Sequence, residues 1–254
     1  MSWFFKDNEK TFNLKDLPSK TLMYRVMPHL LAEIMTKYFR MTLEGVENIP
    51  KGRALITPNH SGYSGFDAFL LGHHIYKEKK RKAKILTHKL WFVSDTLAIP
   101  MQKLGFIEAT KSNGLDALEK NRLVVLFPEG EYGNFKPTVK AYHLQEFRRG
   151  FIRIAIEKQA PIVPTLILGA EETHINLARL KFSKFLRGTV LPLPLNVIPL
   201  PARWHIIFME PIYLPYTTKQ IQDSELVQEL ATEIREKMQA RLSKEVNKRK
   251  NLYF

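Results

Sequence analysis

The sequence predicts an α/β fold with a mixed, largely parallel sheet flanked by helices, and two observations carry this prediction. Short apolar runs alternate along the chain with segments whose apolar residues recur at helical spacing. Strands that alternate with helices are typical of a sheet covered on both faces. With 254 residues, of which 44% are hydrophobic and 25% charged, the chain is long enough for one large globular core and unlike a disordered segment.

The first predicted element is an amphipathic helix within residues 20–40. Its apolar positions are Leu30, Leu31, Ile34, Met35 and Tyr38. Aromatic residues precede it at Trp3, Phe4, Phe5 and Phe12. We therefore predict that residues 1–41 form an amphipathic membrane-interface segment, although a helix packed on the core fits the same pattern equally well. Residues 42–254 would then form the main domain, including the C-terminal helix.

The remaining elements follow from apolar runs and helical spacing. Strands are predicted at residues 54–57, 83–87, 123–127 and 162–168. Helices are predicted from Asp67 onward and at residues 112–121, 145–159 and 223–249. Residues 186–202 are rich in proline, which excludes a continuous helix or a central strand. This segment is predicted to be an apolar loop that covers the core or contacts acyl chains.

The charge of the chain predicts an acidic partner. Lysines and arginines number 39 against 25 acidic residues, which gives a net charge of +14. Basic residues cluster within residues 77–84 and 244–250. Anionic lipid headgroups or an acidic acyl carrier fit this charge, whereas no nucleic-acid motif accompanies it, so no nucleic-acid partner is predicted.

No run approaches the ~18 uncharged apolar residues of a membrane span, so no transmembrane helix is predicted. We expect the protein on the cytoplasmic face of a membrane, as a peripheral or monotopic protein.

A histidine and an aspartate at the end of the first central strand predict acid–base chemistry. Asn59 and His60 directly follow that strand, and Asp67 comes six intervening residues later. Histidine can take a proton from a hydroxyl near neutral pH, and a carboxylate on its other nitrogen fixes the tautomer. The pair would be half of a triad, in which the acceptor hydroxyl is the nucleophile.

Four ordered motifs make the sequence resemble a known family. They are Glu44 to Pro50, Asn59-His60 to Asp67, Phe127-Pro128-Glu129-Gly130 and Val163-Pro164. Their order and approximate spacing resemble the lysophospholipid acyltransferase superfamily, which includes the bacterial 1-acylglycerol-3-phosphate acyltransferases. The resemblance implies a glycerolipid acyltransferase-like fold and O-acyl transfer from a thioester donor. It also implies that His60 is the catalytic base, that Asp67 is its partner, and that Asn59, Glu129 and Gly130 bind the acceptor.

The sequence departs from the family pattern between His60 and Asp67. The family places four residues between the two, and this chain has six. On one continuous helix the pair would be about 10 Å apart at ~1.5 Å per residue, too far for a hydrogen bond. We therefore expect Gly62 and Gly65 to let the chain fold back.

A second departure concerns the acceptor. After Glu129-Gly130 the family has threonine, arginine and serine, whereas this chain has Glu131, Tyr132 and Gly133. The missing arginine is tied to phosphate recognition in the family. Basic residues that could replace it are Lys111, Lys136, Arg148 and Arg149. The alternatives are an acceptor without a terminal phosphate, such as a lyso-aminolipid or a neutral lipid, or a non-catalytic lipid-binding protein.

No tightly bound cofactor is predicted. The chain has no cysteine, which excludes disulfides and thiolate metal sites, and its eight histidines show no complete ligand spacing, so no metal site is expected. Acyl-CoA or acyl carrier protein is predicted as co-substrate. The expected partners are therefore that donor, a lipid acceptor and an anionic membrane surface.

Overall fold

The structure is a computed structural model that describes residues 19–61, 64–181 and 190–253. A seven-stranded sheet lies at its centre, in the strand order β1-β9-β6-β2-β5-β3-β4. Its strands are β1 (Thr42–Glu44), β2 (Ala54–Pro58), β3 (Lys84–Thr87), β4 (Phe106–Glu108), β5 (Leu123–Val125), β6 (Ile162–Leu168) and β9 (His205–Phe208). The predicted mixed, largely parallel sheet is confirmed.

The central strands are parallel and buried on both faces. β2 pairs with β5 on one side and with β6 on the other, and every residue of these three strands is buried. Burial on both faces is the reason that they appear in the sequence as uninterrupted apolar runs. β9 pairs antiparallel with β6 and parallel with β1, so the two strands at that edge run in the opposite direction.

Helices cover both faces of this sheet. They are α1 (Ser19–Thr21), α2 (Met27–Tyr38), α3 (Phe66–Lys79), α4 (Asp95–Leu104), α5 (Lys111–Glu119), α6 (Glu131–Asn134), α7 (Gly150–Lys158), α8 (Ala170–Thr173) and α9 (Ser224–Lys248). One core layer joins the sheet to α5, α7 and α9, and the other joins it to α2 and α3. β2 supplies both layers, because Leu55 points to the first and Ile56 to the second.

The structure differs from the prediction at one helix boundary and in one predicted loop. The helix expected from residue 145 begins only at Gly150, since the backbone N–H groups of Gln145 and Arg148 bond to Glu129 and to the carbonyl of Pro128. Within the proline-rich stretch 186–202, the prediction of a loop is wrong for part of its length. β8 (Val190–Pro194) pairs antiparallel with β7 (Asn176–Lys181) in a separate two-stranded sheet. Each strand of such a pair has an unpaired side, where proline is tolerated.

The N-terminal helix leaves one apolar face exposed. A π-helical turn at Leu22–Val26 joins α1 to α2. Ala32 and Met35 pack on the core, whereas Leu30 and Ile34 are about half exposed. The predicted aromatic residues Trp3, Phe4, Phe5 and Phe12 lie outside the described residues. None of the described helices is long and apolar enough to cross a bilayer.

Candidate active site

The site lies at the carboxyl edge of the parallel strands. His60 follows β2, and Glu129 follows the neighbouring strand β5 by a few residues. Because β2, β5 and β6 are parallel, their carboxyl ends meet at the same edge of the sheet. This edge is where α/β folds present polar groups to ligands.

His60 and Asp67 are in direct contact. Nδ1 of His60 lies 2.6 Å from Oδ2 of Asp67, and the Asp67 side chain is fully buried. Asp67 also accepts hydrogen bonds from the backbone N–H groups of Ser61, at 3.0 Å, and Ala68, at 2.7 Å. These bonds hold the carboxylate as an acceptor, so the proton of the His60 ring lies on Nδ1. Nε2 is then the nitrogen that can accept a proton from a substrate.

The chain reaches this geometry by reversing before α3. Gly65 has φ +72°, a left-handed conformation that residues with a Cβ rarely adopt. Asp67 sits in the first turn of α3, where the helix dipole favours a negative charge. The six-residue spacing therefore permits the contact, as expected from Gly65. Gly62, the other glycine expected to assist, lies outside the described residues.

Phe127 supports the His60 ring from one side. The two ring centroids are 4.0 Å apart, with an angle of 30° between the planes. The His60 side chain keeps 16% of its surface exposed, so the ring is packed yet open to the edge of the sheet. The motif that contains Glu129 thus also supplies an apolar wall for the histidine, a role that the sequence pattern did not suggest.

Glu129 contacts the backbone of His60. Its Oε1 accepts the backbone N–H of His60 at 2.9 Å, and its Oε2 accepts the N–H of Gln145 at 2.7 Å. Glu129 is fully buried, and a Cβ at Gly133 would lie only 2.5 Å from its own Cβ. In this arrangement Glu129 links the end of β2 to the segment before α7. Both carboxylate oxygens accept backbone N–H groups, and a direct contact of Glu129 with the acceptor stays a prediction.

Both ends of the Asn59 side-chain amide form hydrogen bonds within the protein. Its side-chain amide donates to the carbonyl of Ile167 at 3.1 Å and its amide oxygen accepts the N–H of the same residue at 2.7 Å. The residue is fully buried. It joins the ends of β2 and β6, and its predicted role in acceptor binding stays a prediction.

The structure separates the four basic residues considered for acceptor binding. Lys136 is buried between Glu171 and Glu129, with Nζ 2.8 Å from the former and 3.8 Å from the latter. Lys111 pairs with Glu157 at 2.7 Å. It follows β4, which is three strands from β2, or about 14 Å at ~4.8 Å per strand.

The two arginines of this set face different parts of the molecule. Arg149 lies against α9, where its guanidinium is 3.4 Å from the carbonyl oxygen of Ser224. Arg148 is exposed and packs over Gly130, and a Cβ at that glycine would lie 3.2 Å from the guanidinium carbon. Its nearest acidic group is Glu131, at 3.6 Å. Arg148 is therefore the one of the four that is exposed beside the Glu129-Gly130 motif.

A cluster of potential metal ligands lies outside this site. The ligand atoms of His29, Glu33 and His73 all lie within 4.8 Å of one another, between α2 and α3. Lys77 donates to both carboxylate oxygens of Glu33, at 2.8 and 3.0 Å, and Nε2 of His73 lies 3.0 Å from Oε1. The ion pair between Lys77 and Glu33 and the contact of His73 with Glu33 join α2 to α3.

Comparison with known proteins places the chain in a family. The acyltransferase family model matches residues 40–168, which include the His60–Asp67 pair and the Glu129-Gly130 motif. The chain belongs to this family. The prediction of an acyltransferase enzyme, made from the order of the motifs, is confirmed.

Relatives of this acyltransferase occur in bacteria and animals. An uncharacterized protein of Mycobacterium tuberculosis is 33% identical over 239 residues, which cover 89% of this chain and 67% of the relative. A Gallus gallus protein described as a DGAT1/2-independent enzyme synthesizing storage lipids is 27% identical over 179 residues, covering 68% of this chain and 52% of the relative. This chain thus spans about two thirds of the mycobacterial protein and half of the avian one.

A solved structure shares the fold. The 1-acyl-sn-glycerophosphate acyltransferase PlsC from Thermotoga maritima superposes with a TM-score of 0.54, covering 85% of this chain and 81% of PlsC. The two sequences are 15% identical, so this likeness concerns the fold alone. The predicted glycerolipid acyltransferase-like fold is thereby confirmed.

Proposed function

We propose that this acyltransferase moves a fatty acyl group from an acyl thioester, acyl-CoA or acyl carrier protein, to a hydroxyl group of a lipid acceptor. The observation that carries the proposal is the 2.6 Å contact between His60 and the buried Asp67 at the carboxyl edge of the sheet. His60 would be the general base, and Asp67 would orient it and stabilise the imidazolium.

The reaction can be written with its protons balanced. Nε2 of His60 removes the proton from the acceptor hydroxyl as the oxygen attacks the thioester carbonyl. The tetrahedral intermediate then collapses, the carbon–sulfur bond breaks, and the imidazolium returns the proton to the departing thiolate. The products are an ester and a free thiol. The Nδ1 proton stays between His60 and Asp67 throughout, as the hydrogen-bonded geometry favours.

Exposed apolar side chains on three segments support a lipid acceptor. Apolar side chains are exposed on three segments, at Met23, Met27, Leu30, Leu31 and Ile34, at Leu90, Trp91, Val93, Leu97 and Ile99, and at Leu191, Leu193, Leu195, Val197 and Ile198. The π-helical turn at Leu22–Val26 packs against α4, and the Tyr38 hydroxyl donates to the carbonyl of Pro199. The first segment thus contacts α4 at one end and Pro199 at the other, and clusters of exposed apolar side chains are typical of interaction sites, including lipid interfaces.

The two basic clusters differ in their position relative to His60. The cluster within residues 77–84 lies where α3 ends and β3 begins, at the edge of the sheet opposite to His60. Its Arg81 donates to the carbonyls of Pro50 and Gly52 and so has a structural role. The C-terminal cluster is closer to the site, because Arg249 contacts Glu172 in α8, directly after β6. We therefore assign donor docking to the C-terminal cluster, at Lys244, Lys248 and Lys250.

Two classes of acceptor are supported by different observations. Arg148 over Gly130 offers a guanidinium that could bind a phosphate, which favours a lysophospholipid. The name of the avian relative, an enzyme synthesizing storage lipids, favours a neutral glyceride. Glu131, close to Arg148, also disfavours an anionic group at this position.

The experiment compares both acceptor classes directly. Purified enzyme is incubated in vesicles with acyl-CoA or acyl carrier protein and with lysophosphatidate, lysophosphatidylcholine or monoacylglycerol, and products are identified by mass spectrometry. We expect acylation of one acceptor class and its loss in His60→Ala. His143→Ala, which removes an exposed imidazole and keeps the backbone carbonyl that Lys136 approaches, is the matched control. Undiminished transfer by His60→Ala would contradict the proposal.

A further inference from the structure

A buried lysine lies beside Glu129, the residue that accepts the backbone N–H of His60. The proposed mechanism has no use for a positive charge at this position. Lys136 is 6% exposed, and its Nζ lies 2.8 Å from Oε1 of Glu171. It lies 3.8 Å from Oε2 of Glu129 and 3.4 Å from the carbonyl oxygen of His143. A buried ammonium is costly unless it is paired, so its position requires both carboxylates.

Charge balance explains why the three groups stay together. Burial alone would lower the pKa of Lys136, yet the carboxylates of Glu171 and Glu129 outweigh it and raise the pKa above its usual value. Burial raises the pKa of Glu171, and the neighbouring charge of Glu129 adds to this effect. Without Lys136, two buried carboxylates would face each other, and one would take up a proton.

The charge state of Glu129 affects His60 through a backbone hydrogen bond. Its Oε1 accepts the backbone N–H of His60 at 2.9 Å, a bond that is stronger when the carboxylate is ionised. A protonated or displaced Glu129 would loosen the end of β2, and with it the ring that Asp67 and Phe127 hold. Displacement of a catalytic group by about 1 Å can reduce a rate by about 100-fold.

We propose that Lys136 is a positioning residue for His60, acting through the carboxylate of Glu129, and not a ligand of the acceptor. This inference rests on the proposed function, because it takes His60 as the catalytic base. It gives Lys136 a role different from the phosphate contact that its place in the sequence suggested.

A double-mutant cycle tests the inference. Lys136→Met and Glu129→Gln are each expected to lower kcat by up to about 100-fold while the KM for the acceptor stays unchanged. The double variant should be no slower than the slower single variant, because both changes break the same connection. Lys140→Met, which removes an exposed lysine from the same loop, should retain the parental kcat and KM.

An NMR measurement separates positioning from a general loss of stability. In folded Lys136→Met, the backbone amide proton of His60 should shift upfield as its bond to Glu129 weakens. Should this variant fail to fold, Lys136→Gln, which keeps a donor without the charge, takes its place in the cycle.

Two outcomes would overturn the inference. One is a higher KM confined to phosphate-bearing acceptors with an unchanged kcat, which would make Lys136 an acceptor ligand. The other is multiplication of the two single effects in the double variant, which would make Lys136 independent of Glu129. Full activity of His60→Ala would instead overturn the proposed function itself, so the two failures are distinguishable.

Discussion

The carboxylate of Asp67 reaches Nδ1 of His60 at 2.6 Å although seven positions separate the two residues in the chain. The contact requires the left-handed Gly65 and a helix that begins at Phe66, so that Asp67 points back toward the end of β2. The two residues thus depend on a turn whose geometry can be changed without touching either side chain.

Asp67→Asn should lower kcat by at least about 100-fold with a smaller effect on KM. The amide cannot stabilise the imidazolium, and its NH2 group competes with the Nδ1 proton for the same space. Steady-state kinetics with the preferred acceptor measure the loss. Asp116→Asn, an exposed change in α5, provides the control and should leave kcat unaltered. Equal kcat values for Asp67→Asn and the parent would refute a role for Asp67 in orienting His60.

Gly65→Ala should lower both stability and activity. A Cβ at this position would meet nothing within 4 Å, so the cost comes from φ +72° alone, roughly 1–2 kcal/mol. Relief of this strain would move Asp67 away from His60. The fall in kcat should therefore be larger than the loss of folded protein alone explains. Gly150→Ala is the matched control. That glycine also has an open Cβ position, lies in α7 and has no positive φ, so alanine should preserve or raise stability.

The parts of the fold that the sequence predicted are those with a strong local signal. β2 and β6 are buried on both faces, so each forms an apolar run that reveals a strand. β1 and β4 were missed because three residues carry almost no periodicity. The antiparallel pair of β7 and β8 was missed because the prolines of β8, taken alone, indicate a loop.

The site could be predicted only where its residues are close in sequence. His60 and Asp67 are seven positions apart, on either side of the start of α3, and the motif around Glu129 follows its own strand. Lys136 and Glu171 are 35 positions apart and meet only because β5 and β6 both flank β2, so no spacing in the sequence predicts their ion pair. In the sequence Lys136 is recognisable only by its positive charge, and for this reason it was predicted to bind a phosphate of the acceptor.

Arg148→Ala should raise the KM for a phosphate-bearing acceptor by about ten-fold and leave the KM for monoacylglycerol unchanged. One exposed charge-assisted hydrogen bond contributes about 1.5 kcal/mol, which corresponds to this factor. Arg149→Ala tests the alternative, because this arginine lies against α9. A change in KM for Arg149→Ala but not for Arg148→Ala would show that the acceptor lies elsewhere.

The exposed face of α2 should bind lipid. Replacing Leu30 and Ile34 together by glutamate should weaken partition into vesicles containing phosphatidylglycerol by at least about ten-fold per residue, because each side chain loses about 1.5 kcal/mol of apolar burial. Co-sedimentation with vesicles measures the change. Ala240→Glu adds a charge at an exposed position of α9 and should bind as the parent does. Unaltered binding of the double variant would exclude α2 from the membrane contact.

The contact between α2 and α3 should weaken in acid because of His74. Its Nε2 lies 3.1 Å from Oγ1 of Thr36, whose own O–H donates to the carbonyl of Ala32, so His74 donates from Nε2. Burial, together with the charges of His73 and Lys77, lowers the pKa of His74 from 6.5 to about 4, against an opposing contribution from Glu33. The ring is therefore neutral in the folded protein at neutral pH.

The sign of the pH effect follows from this depressed pKa. As pH falls from 6.5 to about 4, the unfolded chain binds a proton at His74 that the folded protein does not, so the free energy of unfolding decreases. The contribution is about 3 kcal/mol across this window. Urea unfolding at about pH 6.5, 5.5 and 4.5 measures it. His74→Gln, which can still donate to Thr36, should flatten this slope, whereas His88→Gln, at an exposed histidine, should retain it. Identical slopes for His74→Gln and the parent would show that the acid sensitivity of the fold arises from other groups.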